Sequence, residues 1–160
     1  GGATPLYVAS QQGQLECVRL LLEAGAAIDQ AKQDSATPLY IACELGQLEI
    51  ARLLLEASAA IDQPKENGAT PLLVACQNNH PEIARLLLEA DADINQAMNG
   101  GATPLFIACQ QGHGECARLL LEAGALVSQA TARGTTPLLI ACQEVASQQG
   151  QVECARLLLE

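Results

Sequence analysis

Leu15, Val18 and Leu22 are spaced three and four residues apart, and the same apolar spacing returns at Leu48, Ala51 and Leu55. Apolar positions at that interval share one side of an α-helix, so each stretch predicts a helix with one buried stripe. Charges fill the other side as Glu16, Arg19 and Glu23, then again as Glu49, Arg52 and Glu56. Each Arg has an acid three residues before it and another four residues after it, so it is expected to reach both. A shorter apolar run precedes each of these helices: "LYVAS", "LYIAC", "LLVAC", "LFIAC" or "LLIAC".

Each short run starts at a Thr-Pro-Leu, found at Thr4, Thr37, Thr70, Thr103 and Thr136, always 33 residues apart. Thr is a good N-cap, and Pro suits the first helical position, where an N–H would have no helical partner. The pattern therefore predicts a short first helix from each Thr-Pro-Leu. Gly13, Gly46 and Gly112 end it, and Asn79 takes that place in the third unit. The longer second helix carries "ECVRLLLE", "EIARLLLE" or "ECARLLLE", with Gly25 and Gly124 just past its end. Ser58 and Asp91 stand where those glycines would be. Ser tolerates the left-handed conformation poorly, so the second unit's helix end is expected to be strained or differently turned. Polar stretches such as "DQAKQDSA" and "NQAMNGGA" join the units and predict projecting hairpin-like loops. A fixed period of this length marks a stacked repeat array, with units at about 1–31, 32–64, 65–97, 98–130 and 131–160 in a single domain.

The clock slips once. Residues 140–160, "IACQEVASQQGQVECARLLLE", hold five residues more than the matching "IACQQGHGECARLLLE" at 107–122. Residues 145–160 nearly copy residues 8–23, so the slip reads as "IACQE" joined ahead of a complete "VASQQ" copy. Leu138, Cys142 and Val145 stay on one apolar face. The last unit's first helix is therefore expected to be about 1.4 turns longer than its neighbours, with Gln148 and Gln149 near its tip.

Composition narrows the chemistry. The chain has 160 residues, 49% of them apolar, with two Tyr, one Phe and no Trp. A small aliphatic core suits close helix packing more than a large ligand cavity. The net charge of −10, half of it from the Glu-Arg-Glu pattern, disfavours nucleic acid. No apolar run or basic amphipathic face points to a membrane. The seven Cys are read as free, small, buried thiols rather than disulfides. Equivalent positions of stacked helices lie about 8–10 Å apart, beyond the roughly 7 Å Cα reach of a disulfide. That points to a reducing, intracellular and cytoplasmic location.

The stretch "GATPLFIACQQGHGECARLLLEAGA" resembles the ankyrin repeat, with that family's Thr-Pro-Leu, Gly-His and Leu-Leu-x-x-Gly-Ala signatures, and the resemblance runs through essentially the whole chain. It implies an all-α ankyrin-repeat solenoid of helix-turn-helix units, and a protein–protein interaction module or scaffold. One departure is consistent. The family's His after Thr-Pro-Leu is here Tyr7, Tyr40, Leu73, Phe106 and Leu139, so its polar contact between repeats must be absent or replaced. Neither terminal unit has a polar cap, which suggests a segment of a longer array.

The resemblance also implies a binding surface at the loop tips, Gln33, Asp34, Glu66, Asn67, Asn99, Gly100, Ala132 and Arg133. It extends this surface to the exposed side of the first helices, at Gln11, Gln12, Glu44, Leu45, Gln77, Asn78, Gln110, Gln111 and Gln143. Tyr7, Tyr40, Leu73, Phe106 and Leu139 either form an apolar ridge along the groove or pack between repeats. Asn95, in "LLEADADIN", sits in a context similar to that modified by asparaginyl hydroxylases, against the plain reading of a turn-stabilising Asn. Cys109, His113 and Cys116 supply only three ligands, with His80 a repeat away, so a zinc site is not expected. No nucleophile–base pair or phosphate loop appears, so no enzyme activity and no cofactor are expected. The partner is a protein, and the chain itself is read as a monomer. A structural or elastic spacer, and a regulatory module of a larger multidomain protein, are the alternative functions.

Overall fold

The computed structural model describes residues 2–144 and 149–159, and these form ten α-helices with no strand. The first helices of successive units are α1 (Pro5–Gln11), α3 (Pro38–Glu44), α5 (Pro71–Gln77), α7 (Pro104–Gln111) and α9 (Pro137–Glu144). The second helices are α2 (Leu15–Glu23), α4 (Leu48–Glu56), α6 (Pro81–Glu89), α8 (Gly114–Glu122) and α10 (Gln149–Leu159). Thr4, Thr37, Thr70, Thr103 and Thr136 each accept the N–H three residues on at 3.1–3.2 Å, so each first helix starts where Thr-Pro-Leu predicts.

First helices stack on first helices and second on second, with the first-helix row the more closely packed. Closer packing in one row curves the array towards that row, so the first helices and their loops line its inner side. The core is one continuous band from Leu6 to Cys154, built from the Leu, Ile, Val, Ala and Cys of both rows. Burial of this kind supplies most of the stability that seven- to nine-residue helices lack alone.

The loops are hairpins. Lys32, Lys65, Met98 and Thr131 each donate a backbone N–H to the residue four positions on, at 2.9 Å. Ser35, Gly68, Gly101 and Gly134 hold positive φ at the same place in each turn, and Gly100 does so as well in the third. Ser58 and Asp91 adopt positive φ of 68° and 63°, in the same left-handed conformation as Gly25 and Gly124. The second unit's helix end is therefore strained rather than differently turned.

Two expectations are corrected. Among the described residues, the Arg residues of the second helices do not bridge both acids of their own helix. Arg19, Arg52, Arg118 and Arg156 pair with the Glu three residues before them, and Arg85 pairs with Glu115 of the next unit. An Arg side chain reaching back towards the helix N-terminus leaves Glu23, Glu56, Glu89 and Glu122 to solvent. The lengthened first helix falls largely on 145–148, outside the described residues, and Gln149 is not at its tip but opens α10.

Candidate functional site

The loop tips are joined to one another through their backbones. The N–H of Glu66 donates to the Asp34 carbonyl at 3.1 Å, that of Asn99 to Asn67 at 2.8 Å, and that of Ala132 to Gly100 at 2.8 Å. Asp34 and Asn67 also accept the N–H two residues on, which closes the turn below each tip. The tips are thus held in one file, with Gln33, Glu66, Asn67, Asn99, Gly100, Ala132 and Arg133 exposed and Asp34 half-buried.

Beside that file stand the C-terminal ends of the first helices. Gln11, Gln12, Leu45, Gln77, Asn78, Gln111 and Gln143 are exposed, while Glu44 and Gln110 are half-buried. Two of these ends are fixed from the following unit. Asn78 Nδ2 donates to the Glu44 carbonyl at 3.2 Å, and Gln151 Nε2 donates to the Gln110 carbonyl at 3.4 Å.

At the fourth and fifth units the two files enclose a cleft of about 410 Å³. Gly100, Phe106, Gln110, Ala132, Arg133 and Gln143 line it, all expected from the sequence, together with Thr131, Thr135 and Ile140, which were not. Ile140 was hidden because it repeats a core position. Phe106 and Ile140 make an apolar floor, and Gln110, Gln143 and Arg133 supply hydrogen-bond donors at the rim. The cleft has the size and mixed lining that accept side chains of another molecule.

The aromatics do not stand up as a ridge. Tyr7, Tyr40 and Phe106 are only 4%, 4% and 7% exposed and belong to the core between repeats. They share a helix face with the exposed ends four residues on, but lie buried between units, and Phe106 reaches the surface as the floor of the cleft. Lysines cover the two tyrosines: Lys32 Nζ lies 5.8 Å from the Tyr7 ring centroid and Lys65 Nζ 5.5 Å from that of Tyr40. Lys65 also pairs with Asp34 Oδ2 at 3.3 Å. Burial raises the Asp34 carboxyl, but the Ala36 N–H and the lysines Lys65 and Lys32 outweigh it and hold the group below the usual carboxylate range. Burial, then Glu44 and Asp34, push the Tyr40 hydroxyl up to about 12.

A polar ladder beyond the second helices also joins each unit to the next. Asp29 accepts the Ala60 N–H at 2.9 Å, Asp62 the Asp93 N–H at 3.0 Å, and Asn95 the Leu126 N–H at 2.9 Å. These three residues are themselves 33 apart, a signal present in the sequence. Asn95 is thus half-buried, with its side-chain oxygen tied to the next unit. His80 and His113 add ring-nitrogen contacts to the carbonyls of Glu44 at 3.3 Å and Cys76 at 2.8 Å.

The residues weighed for zinc face different neighbours. Cys116 donates its thiol hydrogen to the Asn79 side-chain oxygen at 3.9 Å, Cys109 is fully buried in the core, and His113 meets a backbone carbonyl. Among the described residues no three His, Cys, Asp or Glu side chains converge as metal ligands, and no helix is long and apolar enough to cross a membrane.

Comparison with known families agrees with the geometry. A family model described as ankyrin repeats (3 copies) matches residues 6–98 and 95–160. A search among curated proteins finds no match.

Proposed function

The chain belongs to the ankyrin repeat family, whose repeats are generally protein–protein interaction modules, and on that premise we propose that it recognises a protein partner through the loop tips and the first-helix ends beside them. The observation that carries this reading is the cleft at the fourth and fifth units, where six of the residues expected from the sequence meet around an apolar floor. Recognition works by preorganisation. The backbone bonds between tips and the ladder of Asp29, Asp62 and Asn95 hold the contact residues before a partner arrives, so little ordering entropy is lost on binding. Gln33, Asp34, Glu66, Asn67, Asn99 and Arg133 supply the tip contacts. Gln11, Gln12, Glu44, Leu45, Gln77, Asn78, Gln110, Gln111 and Gln143 supply those of the helix ends. Tyr7, Tyr40 and Phe106 support this surface from beneath.

The test is affinity capture from cells with three chains: the wild type, a variant with Ala at Gln33, Asp34, Glu66 and Asn67, and a variant with Ala at Gln110, Arg133 and Gln143. A protein retained by the wild type and lost from either variant supports recognition. Capture of nothing specific by the wild type supports the spacer reading instead. Asn95 is proposed as a modification site only where the Leu126 contact opens, since that contact holds its side chain in the folded array. Mass spectrometry of native protein with no added oxygen on Asn95 removes that proposal.

A further inference from the structure

The loops differ in how they cover the residue that follows Thr-Pro-Leu in the unit before them. In the first two loops a lysine does so, Lys32 over the Tyr7 ring and Lys65 over that of Tyr40. Met98 holds the same position in the third loop and packs against the core. The fourth loop has Thr131 there. Its side chain stops at the γ atoms, and Oγ1 is turned back to accept the Thr135 N–H at 3.3 Å. The cleft of about 410 Å³ opens over Phe106, where the longer side chain is missing.

Charge at the tip is reversed in the same loop. Arg133 stands where the earlier loops have Asp34, Asn67 and Gly100. Asp34 is engaged by Lys65 from within the chain. Arg133 is exposed and enters none of the ion pairs among the described residues. Around Tyr40 the chain thus provides both an alkyl stem over the ring and an opposite charge for the ion at the tip. Around Phe106 it provides neither.

Given that this side of the array binds a protein partner, the reading on which this rests, we propose that the cleft takes an extended partner segment with a bulky aliphatic residue and an Asp or Glu two residues apart. The aliphatic side chain lies over Phe106 and Ile140, in the place that a lysine stem fills in the earlier loops. The carboxylate pairs with Arg133, as Asp34 does with Lys65 but with the signs exchanged. Side chains two apart on an extended strand point the same way, about 7 Å from each other, so both enter the cleft together. A cation over Phe106 is opposed by Arg133 beside it. A chain-terminal carboxylate would need free N–H groups in the loop, and those of Thr131, Ala132, Gly134 and Thr135 are already donated to Thr135, Gly100 and Thr131. Glu66 at the second tip and Glu44 at the helix end beside it repel an acidic residue, which fixes the segment at the fourth and fifth units.

The test uses the full chain and a library of random peptides displayed on phage. Selection on the wild type is expected to enrich Leu, Ile, Val or Met two residues from Asp or Glu. An enriched peptide is then made with an amidated C-terminus and titrated by fluorescence anisotropy. Arg133→Glu and Thr131→Met, the second of which restores a long uncharged cover, are each expected to weaken it about tenfold or more. Circular dichroism checks that both variants stay folded. The same peptide with Lys in place of its acid is expected to bind Arg133→Glu more tightly than the wild type. Arg19→Glu, on the outer helix face, leaves the affinity unchanged. Selection that enriches no such pair overturns the proposal, and so do enriched peptides that bind both variants as tightly as the wild type. If those peptides are instead lost with Ala at Gln33, Asp34, Glu66 and Asn67, only this occupant fails, and recognition through the tips stands.

Discussion

Ser58 holds a φ of 68°, where a side chain with a β-carbon costs roughly 1–2 kcal/mol. Ser58→Gly is expected to stabilise the chain by about 1 kcal/mol, read as a higher denaturation midpoint at unchanged slope. Gly25→Ala at the equivalent position is expected to cost a similar amount, about 1 kcal/mol, for conformation alone, because an added Cβ there meets nothing within 4 Å. Tyr40 tests packing against binding. Its burial predicts that Tyr40→Ala loses about 3 kcal/mol of stability, which a melting curve will show whether or not a partner is present. Tyr40 also predicts a pH effect. Its folded pKa lies above the ordinary 10.0, so its contribution is complete below pH 10 and is lost as pH rises towards about 12. Tyr40→Phe should flatten stability over that alkaline window. Asp34 acts with the opposite sign. Its lowered pKa gives a contribution present above about pH 4 and lost as pH falls below it, and Asp34→Asn removes that acid sensitivity.

Helix starts were the most legible elements, because Thr-Pro-Leu states both the cap and the first turn. The helix-end defects at Ser58 and Asp91 were legible for the same reason, as departures from a glycine that the repeat demands. Side-chain choices between two partners were not legible: spacing allowed Arg19 both Glu16 and Glu23, and only rotamer direction selected Glu16. The last unit shows the limit of pattern reasoning about elements. α10 is 11 residues long against nine in the other second helices, and Gly150 lies within it although its sequence counterpart Gly112 ends a first helix. A Cβ on Gly150 would overlap the Gly112 carbonyl. Gly150→Ala is therefore expected to push α10 off α7 and α8 and to melt the last unit ahead of the rest. Hydrogen exchange would show this as lost protection confined to residues 149–159.

At the scale of the whole molecule, the side formed by the tips and first-helix ends is polar, varied from unit to unit and held rigid by bonds between repeats. The 33-residue period places every unit and so shows where that side lies. The period did not show what the buried thiols face: Cys116 reaches the Asn79 side-chain oxygen and Cys154 the Ala108 carbonyl, each in the preceding unit. It also left open whether the aromatics line the groove, because four-residue spacing sets the helix face but not the depth of burial. The central claim concerns the side formed by the tips and first-helix ends. Hydrogen exchange of the chain, alone and saturated with a captured partner, tests it most directly. The account predicts that slowed amides cluster at the loop tips and at 106–111 and 139–143, with the outer faces of α2, α4, α6 and α8 unchanged. Protection that falls on those outer faces and leaves the tips unaltered would contradict it.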